Sequence, residues 1–223
     1  EKTGMSRAAA RRFLLTLSEL GYAESDGRRF RLTPRVLELG YSYLSSLGLT
    51  DVLTPILERI SGELQESVSA AVLDGDEIVY VARVQTQSIL SVGLGVGARL
   101  PAIATSMGRV LLAHAPEEHR ERVLDSERRA FTPKTVMDRD ALNSILRQVR
   151  EVGYSIVDQE LEVGLRSLAV PLRDASGQVR AAVNVSSHAS RTEISTLVER
   201  HLPVLMKAHN EVAVLLPATR PSR

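Results

Sequence analysis

No cysteine occurs among the 223 residues. That removes a disulfide framework, a thiolate nucleophile and any Cys-ligated metal, and it accords with a reducing cytoplasm, where the protein is expected to reside. No apolar run approaches the roughly 18 residues that a membrane span requires, and no signal-peptide pattern opens the chain, so no membrane partner is expected. The five histidines (114, 119, 188, 201 and 209) lack ligand spacing, so no metal site and no cofactor are expected. Ser186, Ser187, His188 and Asp158 supply the residue types of a hydrolytic triad, but no Gly-x-Ser-x-Gly elbow accompanies them. Gly93-Leu-Gly-Val-Gly97 lacks both phosphate-loop spacings and reads as a strand exit. Catalytic residues are therefore expected to be absent. Repeats and low-complexity tracts are absent too.

What the chain does have is a core and a lopsided charge. Apolar residues make up 43% and charged ones 25%, enough for one well-buried domain of ordinary size with a small appendage. Residues 1–35 carry eight Lys/Arg against four Asp/Glu, whereas the net charge of the whole is only +1. A basic end on a near-neutral body suits contact with nucleic acid.

That basic end, Gly4 to Thr33, is ordered like a helix running into a hairpin. Ser6 is placed as an N-cap. Ala10, Phe13, Leu14, Leu17 and Leu20 then recur at helical spacing, predicting one buried face. Arg7, Ala8, Arg11 and Arg12 lie away from it. Small residues let the backbone approach a major groove closely while Arg reaches bases and phosphates. Gly21 ends the helix, and two short strands flank Ser25-Asp26-Gly27. Arg28, Arg29 and Arg31 would form a basic wing over the adjacent DNA backbone. Ser6, Arg7, Ala8, Arg11, Arg12, Arg28, Arg29 and Arg31 are thus the candidate DNA contacts. The chain begins at Glu1, almost directly ahead of this helix, so earlier helices of a DNA-binding unit are expected to precede it.

Pro34, capped by Thr33, is predicted to open a connecting helix that Gly48 ends. Its apolar residues wrap widely enough to contact a second copy of the chain. Thr50 or Asp51 caps the next amphipathic helix. From Ser67 the period becomes that of strands: Val68–Leu73 and Ile78–Ala82 around Asp74-Gly75-Asp76 form a hairpin, and Ser88–Val92 reads as a third strand. Helices follow over Thr105–His114, after Pro116, and from Asp138 or Arg139 to Gly153. Strands are predicted at Tyr154–Val157, Leu165–Leu172 and Val179–Ser186. Ser190 is placed to cap a last amphipathic helix, and the tail after it should be disordered. Strand runs with grouped helices predict an α+β domain on an antiparallel sheet.

Strand alternation puts Leu165, Ser167 and Ala169 on one face, with Asn184 and Ser186 on the neighbouring strand. A few hydrogen-bonding groups among apolar ones describe a small-molecule pocket. The helix start at Thr105, Ser106 and Met107 could offer hydroxyls and free N–H groups to a carboxylate. Arg109 would add positive charge or make a surface ion pair. The alternative is that these polar groups only satisfy one another in the core.

Several stretches resemble the isocitrate-lyase-regulator (IclR) family of bacterial transcription factors. They are Gly4-Met-Ser-Arg-Ala-Ala-Ala-Arg-Arg-Phe-Leu-Leu-Thr-Leu-Ser-Glu-Leu-Gly21, Arg31 to Gly40, Leu100-Pro-Ala-Ile-Ala-Thr-Ser-Met-Gly-Arg-Val-Leu-Leu-Ala113 and Gly153 to Pro171, continuing from Ala181 to Arg191. The resemblance implies a winged helix-turn-helix, a linker helix and a GAF-like effector-binding domain, assembled as a dimer or dimer of dimers. The implied division is 1–33 for the partial DNA-binding domain, 34–49 for the linker, 50–217 for the effector domain and 218–223 for the tail. Residues Arg7 to Arg12 would lie on the recognition helix. The effector site would include the 105–107 helix start, Asp158, Leu165, Ser167, Asn184 and Ser186. Asn184, Ser167 and Val157 depart from the glyoxylate-responsive members. The motifs look most like the members controlling protocatechuate and β-ketoadipate catabolism, so the expected partners are an operator duplex and a small aromatic or dicarboxylic acid. The competing classes are a GAF-like sensor module without DNA binding and an enzyme on that scaffold.

Overall fold

The computed structural model describes residues 3–47, 49–86 and 94–216, with the backbone alone for Tyr41, 43–47 and Thr50. The chain divides into two units, Glu1–Gly48 and Leu49–Arg223. The strand predicted at Ser88–Val92, together with Gly48, Gly93 and the tail, lies outside the described residues.

In the first unit, the Ser6 hydroxyl accepts from the Ala9 N–H at 3.3 Å and starts α1 (Arg7–Glu19). The helix ends in a Schellman arrangement. Tyr22 N–H donates to Leu17 O at 2.8 Å and Gly21 N–H to Ser18 O at 3.0 Å, which requires the left-handed backbone of Gly21 at φ +79°. β1 (Ala23–Ser25) and β2 (Phe30–Leu32) pair antiparallel. Thr33 does not cap the following helix as its position suggests. Its hydroxyl donates to Gly21 O at 2.5 Å, Pro34 and Arg35 form a tight turn, and α2 runs over Val36–Leu47. The apolar stripe of α1 also departs from expectation, since no residue of that helix is buried and Phe13 is 61% exposed. One hairpin of two three-residue strands has too little surface to cover a helix face.

In the second unit, six antiparallel strands lie in the order β5-β4-β3-β8-β7-β6. They are β3 (Ser67–Asp74), β4 (Glu77–Val84), β5 (Arg99–Pro101), β6 (Ser155–Asp158), β7 (Leu165–Arg173) and β8 (Val179–His188). The α+β architecture is the one the element order implies. Alternation sorts the side chains. Val68, Ala70, Leu168, Val170, Val183 and Val185 are fully buried on the face that α3 (Leu49–Leu64) and the last helix cover. Ala71, Tyr80, Ala169 and Ala182 join the opposite core, built with α4 (Ser106–His114), α5 (Glu117–Asp125) and α6 (Arg139–Val152). Asp138 caps α6 through Ala141 N–H, and Gly153 at φ +81° stops it.

The last helix, α7, is three pieces: Ile194–Thr196, a π-turn over Leu197–His201, and Leu202–Leu215. Pro203 explains the wide turn, because it has no N–H to donate and its ring crowds the carbonyl four residues back. Ser190 does not cap this helix; its hydroxyl bonds His188 Nδ1 at 2.6 Å, and the helix starts later. Among the described residues no helix is long and apolar enough to cross a membrane.

The β3–β4 pairing is irregular at one point. Ala70 pairs with Ala82 but Ala71 pairs with Tyr80, so the register skips Val81. This bulge places Tyr80 and Arg83, three residues apart, on the same face.

Candidate functional site

The face shared by Tyr80 and Arg83 opens into a cavity of about 300 Å³, at the lower end of the range for small-molecule sites. β4 contributes Tyr80 and Arg83, β5 Leu100, and the start of α4 Thr105 and Met107. Leu165 comes from β7, Asn184 and Ser186 from β8, and Leu161 and Glu162 from the β6–β7 loop. The walls are largely apolar, and the polar groups are few and only partly satisfied. Asn184 Nδ2 donates to Ser186 Oγ at 3.0 Å, while Asn184 Oδ1 is buried with no partner among the described residues. Arg83 Nε is likewise buried and unpartnered among the described residues, with the guanidinium 5.6 Å from the centre of the Tyr80 ring. Burial pushes the Tyr80 hydroxyl's pKa up, and the neighbouring Arg83 opposes that rise.

Of the residues singled out by sequence, the structure brings Thr105, Met107, Leu165, Asn184 and Ser186 together around this cavity. The Thr105 hydroxyl is already engaged, accepting from Gly108 N–H at 3.1 Å and donating toward Ala102 O. Gly108 is obligatory in that turn, since a Cβ there would sit 2.1 Å from Ala102 O. Ser106 is buried with its hydroxyl unpartnered among the described residues, and it does not line the cavity. Ser167 pairs directly with Ser186 on the same sheet face but stays outside the lining.

Arg109 and Asp158 lie away from this cavity. Arg109 lies two residues beyond Met107, on the far side of α4, and is 2% exposed. Its Nη1 and Nη2 grip Glu160 at 2.7 and 2.5 Å, and its Nε donates to Ile103 O at 2.8 Å. It forms a buried ion pair rather than a surface one, and with Asp158 it borders a separate cavity. Asp158 follows Val157, which pairs with Ser167, so alternation turns Asp158 to the other face. There it accepts from Arg166 Nε at 2.7 Å and from Lys134 Nζ at 3.0 Å. Arg166, first, and then Lys134 and Gln159 hold its pKa down at about 2.

Tyr80, Arg83, Leu94, Leu100, Leu161 and Glu162 also line the cavity without marking themselves in the sequence. A bulge places Arg83, and loops place Leu94, Leu161 and Glu162; neither has a periodic signature.

The basic unit has a different character. Ser6 is committed to its cap, whereas Arg7, Ala8, Arg11 and Arg12 are all exposed on α1. At the hairpin tip, Asp26 Oδ1 accepts from Arg28 N–H at 2.9 Å and Arg29 N–H at 2.7 Å. These bonds, Arg29's first, hold the Asp26 carboxyl below its usual range and fix the wing's shape. Arg7, Arg11, Arg12, Arg28 and Arg29 have no carboxylate partner among the described residues. Arg31 has one, since its Nε donates to Glu24 at 2.7 Å across the hairpin.

Comparison with known proteins follows the same division. Residues 41–213 match the family of the bacterial transcriptional regulator IclR C-terminal domain, and residues 1–27 match the IclR helix-turn-helix domain. The Pca regulon regulatory protein of Pseudomonas putida is 49% identical over 213 residues, covering 95% of this chain and 73% of that protein. A putative transcriptional regulator from Rhodococcus sp. RHA1 superposes with a TM-score of 0.80 at 49% identity, covering 95% of this chain and 85% of that one. An IclR homologue from Microbacterium hydrocarbonoxydans, solved in complex with 4-hydroxybenzoate, superposes with a TM-score of 0.79 at 29% identity, covering 94% and 85%.

Proposed function

The chain belongs to the IclR family of bacterial transcriptional regulators, and from that premise we propose that its operator binding is modulated by a small aromatic carboxylic acid seated in the cavity. The observation that carries this reading is Arg83. A buried guanidinium nitrogen without a partner among the described residues, on a side chain that lines a mostly apolar cavity, calls for an anion with an apolar body. Asn184 and Ser186 add hydrogen-bonding capacity on the sheet side, and Tyr80, Leu100, Met107 and Leu165 form walls suited to a ring. Regulation of aromatic catabolism fits both that chemistry and the relatives' names.

On this reading residues 1–33 act as part of a winged helix-turn-helix, 34–49 as a linker and 50–217 as the effector domain, in a cytoplasmic homodimer or dimer of dimers. Arg7, Arg11 and Arg12 meet operator DNA from α1, and Arg28 and Arg29 from the wing. A bare sensor module is disfavoured by the helix-turn-helix match and these unpaired arginines. By linkage, whatever factor the acid changes operator affinity, the operator changes the acid's affinity.

Calorimetry with protocatechuate and 4-hydroxybenzoate tests the site. The wild-type chain is expected to bind, and Arg83→Met to lose about 2 kcal/mol or more of binding energy. Equal binding by both proteins, or none by the wild type, would overturn the assignment.

A further inference from the structure

We propose that Glu162 makes the cavity selective for a hydroxylated aromatic monoacid over an aliphatic diacid, an inference that rests on reading the cavity as the effector site. Two opposite charges border this cavity without meeting. Arg83 enters from β4, and Glu162 from the loop that leads into β7. β3 and β8 lie between those strands, so the backbones stand about 14 Å apart at ordinary strand spacing. Neither side chain forms an ion pair among the described residues. A ligand bridging them needs an anionic end for the guanidinium and a hydrogen-bond donor for the carboxylate. The apolar residues between, Tyr80, Leu100, Met107, Leu161 and Leu165, suit a ring as the connecting body.

Glu162 is also held in place. The preceding Glu160 is gripped by Arg109 and accepts from Val136 N–H at 3.1 Å. Thr135 Oγ1 donates to Glu160 O at 2.6 Å and Thr132 Oγ1 to Gln159 O at 2.7 Å. Gln159 sits at φ +63°, and its side-chain oxygen accepts from Gly164 N–H at 3.1 Å. Leu165 N–H closes onto Glu162 O at 3.1 Å. A loop fixed at so many points holds the Glu162 backbone, from which the carboxylate reaches the cavity rim, in position before any ligand arrives. A phenolic O–H donates to that carboxylate, whereas the second carboxylate of a diacid meets a like charge there. Glu162 is exposed, so solvent screening limits the discrimination to roughly tenfold rather than the much larger ratios of buried sites.

The test is calorimetry of the whole chain with 4-hydroxybenzoate, benzoate and adipate, for wild type and Glu162→Ala, with thermal melts confirming that both fold. Wild type should prefer 4-hydroxybenzoate to benzoate by about tenfold and to adipate by at least as much. In Glu162→Ala both ratios should shrink toward one, the second because adipate binding tightens. Unchanged ratios in the variant, or a wild-type preference for adipate, would overturn the proposal. The underlying reading fails separately. If wild type binds none of the three acids, the cavity is not the effector site and the proposal falls with it. If Arg83→Met weakens binding but Glu162→Ala leaves the ratios alone, only the selectivity proposal is lost.

Discussion

The half-buried Arg83 at the cavity and the buried Arg109 on the far side of α4 are treated in opposite ways. Arg109 has two carboxylate bonds and a carbonyl, and its partner Glu160 also takes a backbone N–H from Val136. Arg83 has an aromatic ring alongside and a buried nitrogen with no acceptor among the described residues. A satisfied buried charge holds structure together, and its removal leaves an opposite charge stranded. An unsatisfied one lowers the stability of the empty protein and is useful only if something else completes it. The same residue type is therefore fully paired in one region and, among the described residues, left with an open donor in the other.

The sharpest way to break this comparison is to disarm the satisfied cluster. Glu160→Ala strands the Arg109 guanidinium and should cost about 3–5 kcal/mol of stability. Arg109→Met combined with Glu160→Leu removes both charges and should cost distinctly less than the single change. Denaturant unfolding of the three proteins measures both quantities. A Glu160→Ala variant as stable as wild type would mean that the pair does not fasten the domain.

How much of this can be read in the sequence depends on whether local chemistry decides the outcome. The Ser6 cap, the Gly21 stop, the Asp138 cap and the Asp74–Glu77 turn are local, and each falls where its residue types indicate. Leu165, Asn184 and Ser186 are legible as one face because alternation on regular strands is also local. Arg83 is not, because the skipped Val81 inverts the alternation after Tyr80. Arg109 reads as a surface or ligand charge because its partner lies 51 residues away, and no spacing rule links them. The apolar stripe of α1 is legible as a stripe, but a stripe does not say what covers it.

The contrast between paired and unpaired arginines extends to the basic unit, where a smaller effect is expected. Among the described residues Arg11 and Arg12 have no carboxylate partner, while Arg31 is engaged by Glu24. With a full-length protein and a pseudo-palindromic operator, Arg11→Ala or Arg12→Ala should each cost about 1–3 kcal/mol if it reads a base. Arg31→Ala should cost less, since exposed pairs contribute little and Glu24 already competes for the charge. Titration against one half-site serves as the control, because a homo-oligomer should bind the palindrome more tightly. Intact operator binding in the Arg11→Ala, Arg12→Ala double variant would remove α1 from the interface.

The smallest expected effect belongs to Asp158, whose partners separate it from the cavity. Its carboxyl lies at about 2 in the folded protein against an ordinary 3.8, with Arg166 the main cause and Lys134 and Gln159 contributing. A depressed folded pKa means that the unfolded chain takes up the proton more readily. The pair's contribution is therefore fully present above about pH 4 and is lost as pH falls toward 2. Partial exposure limits it to about 1–2 kcal/mol. Stability measured across that window should fall more steeply for wild type than for Asp158→Asn, and the two curves should converge at the acid end. Acid binding in the cavity near neutral pH should differ little between them, because Asp158 faces the other way. A large loss of 4-hydroxybenzoate affinity in Asp158→Asn, with stability intact, would return this carboxylate to the effector site and undo the separation between the two regions.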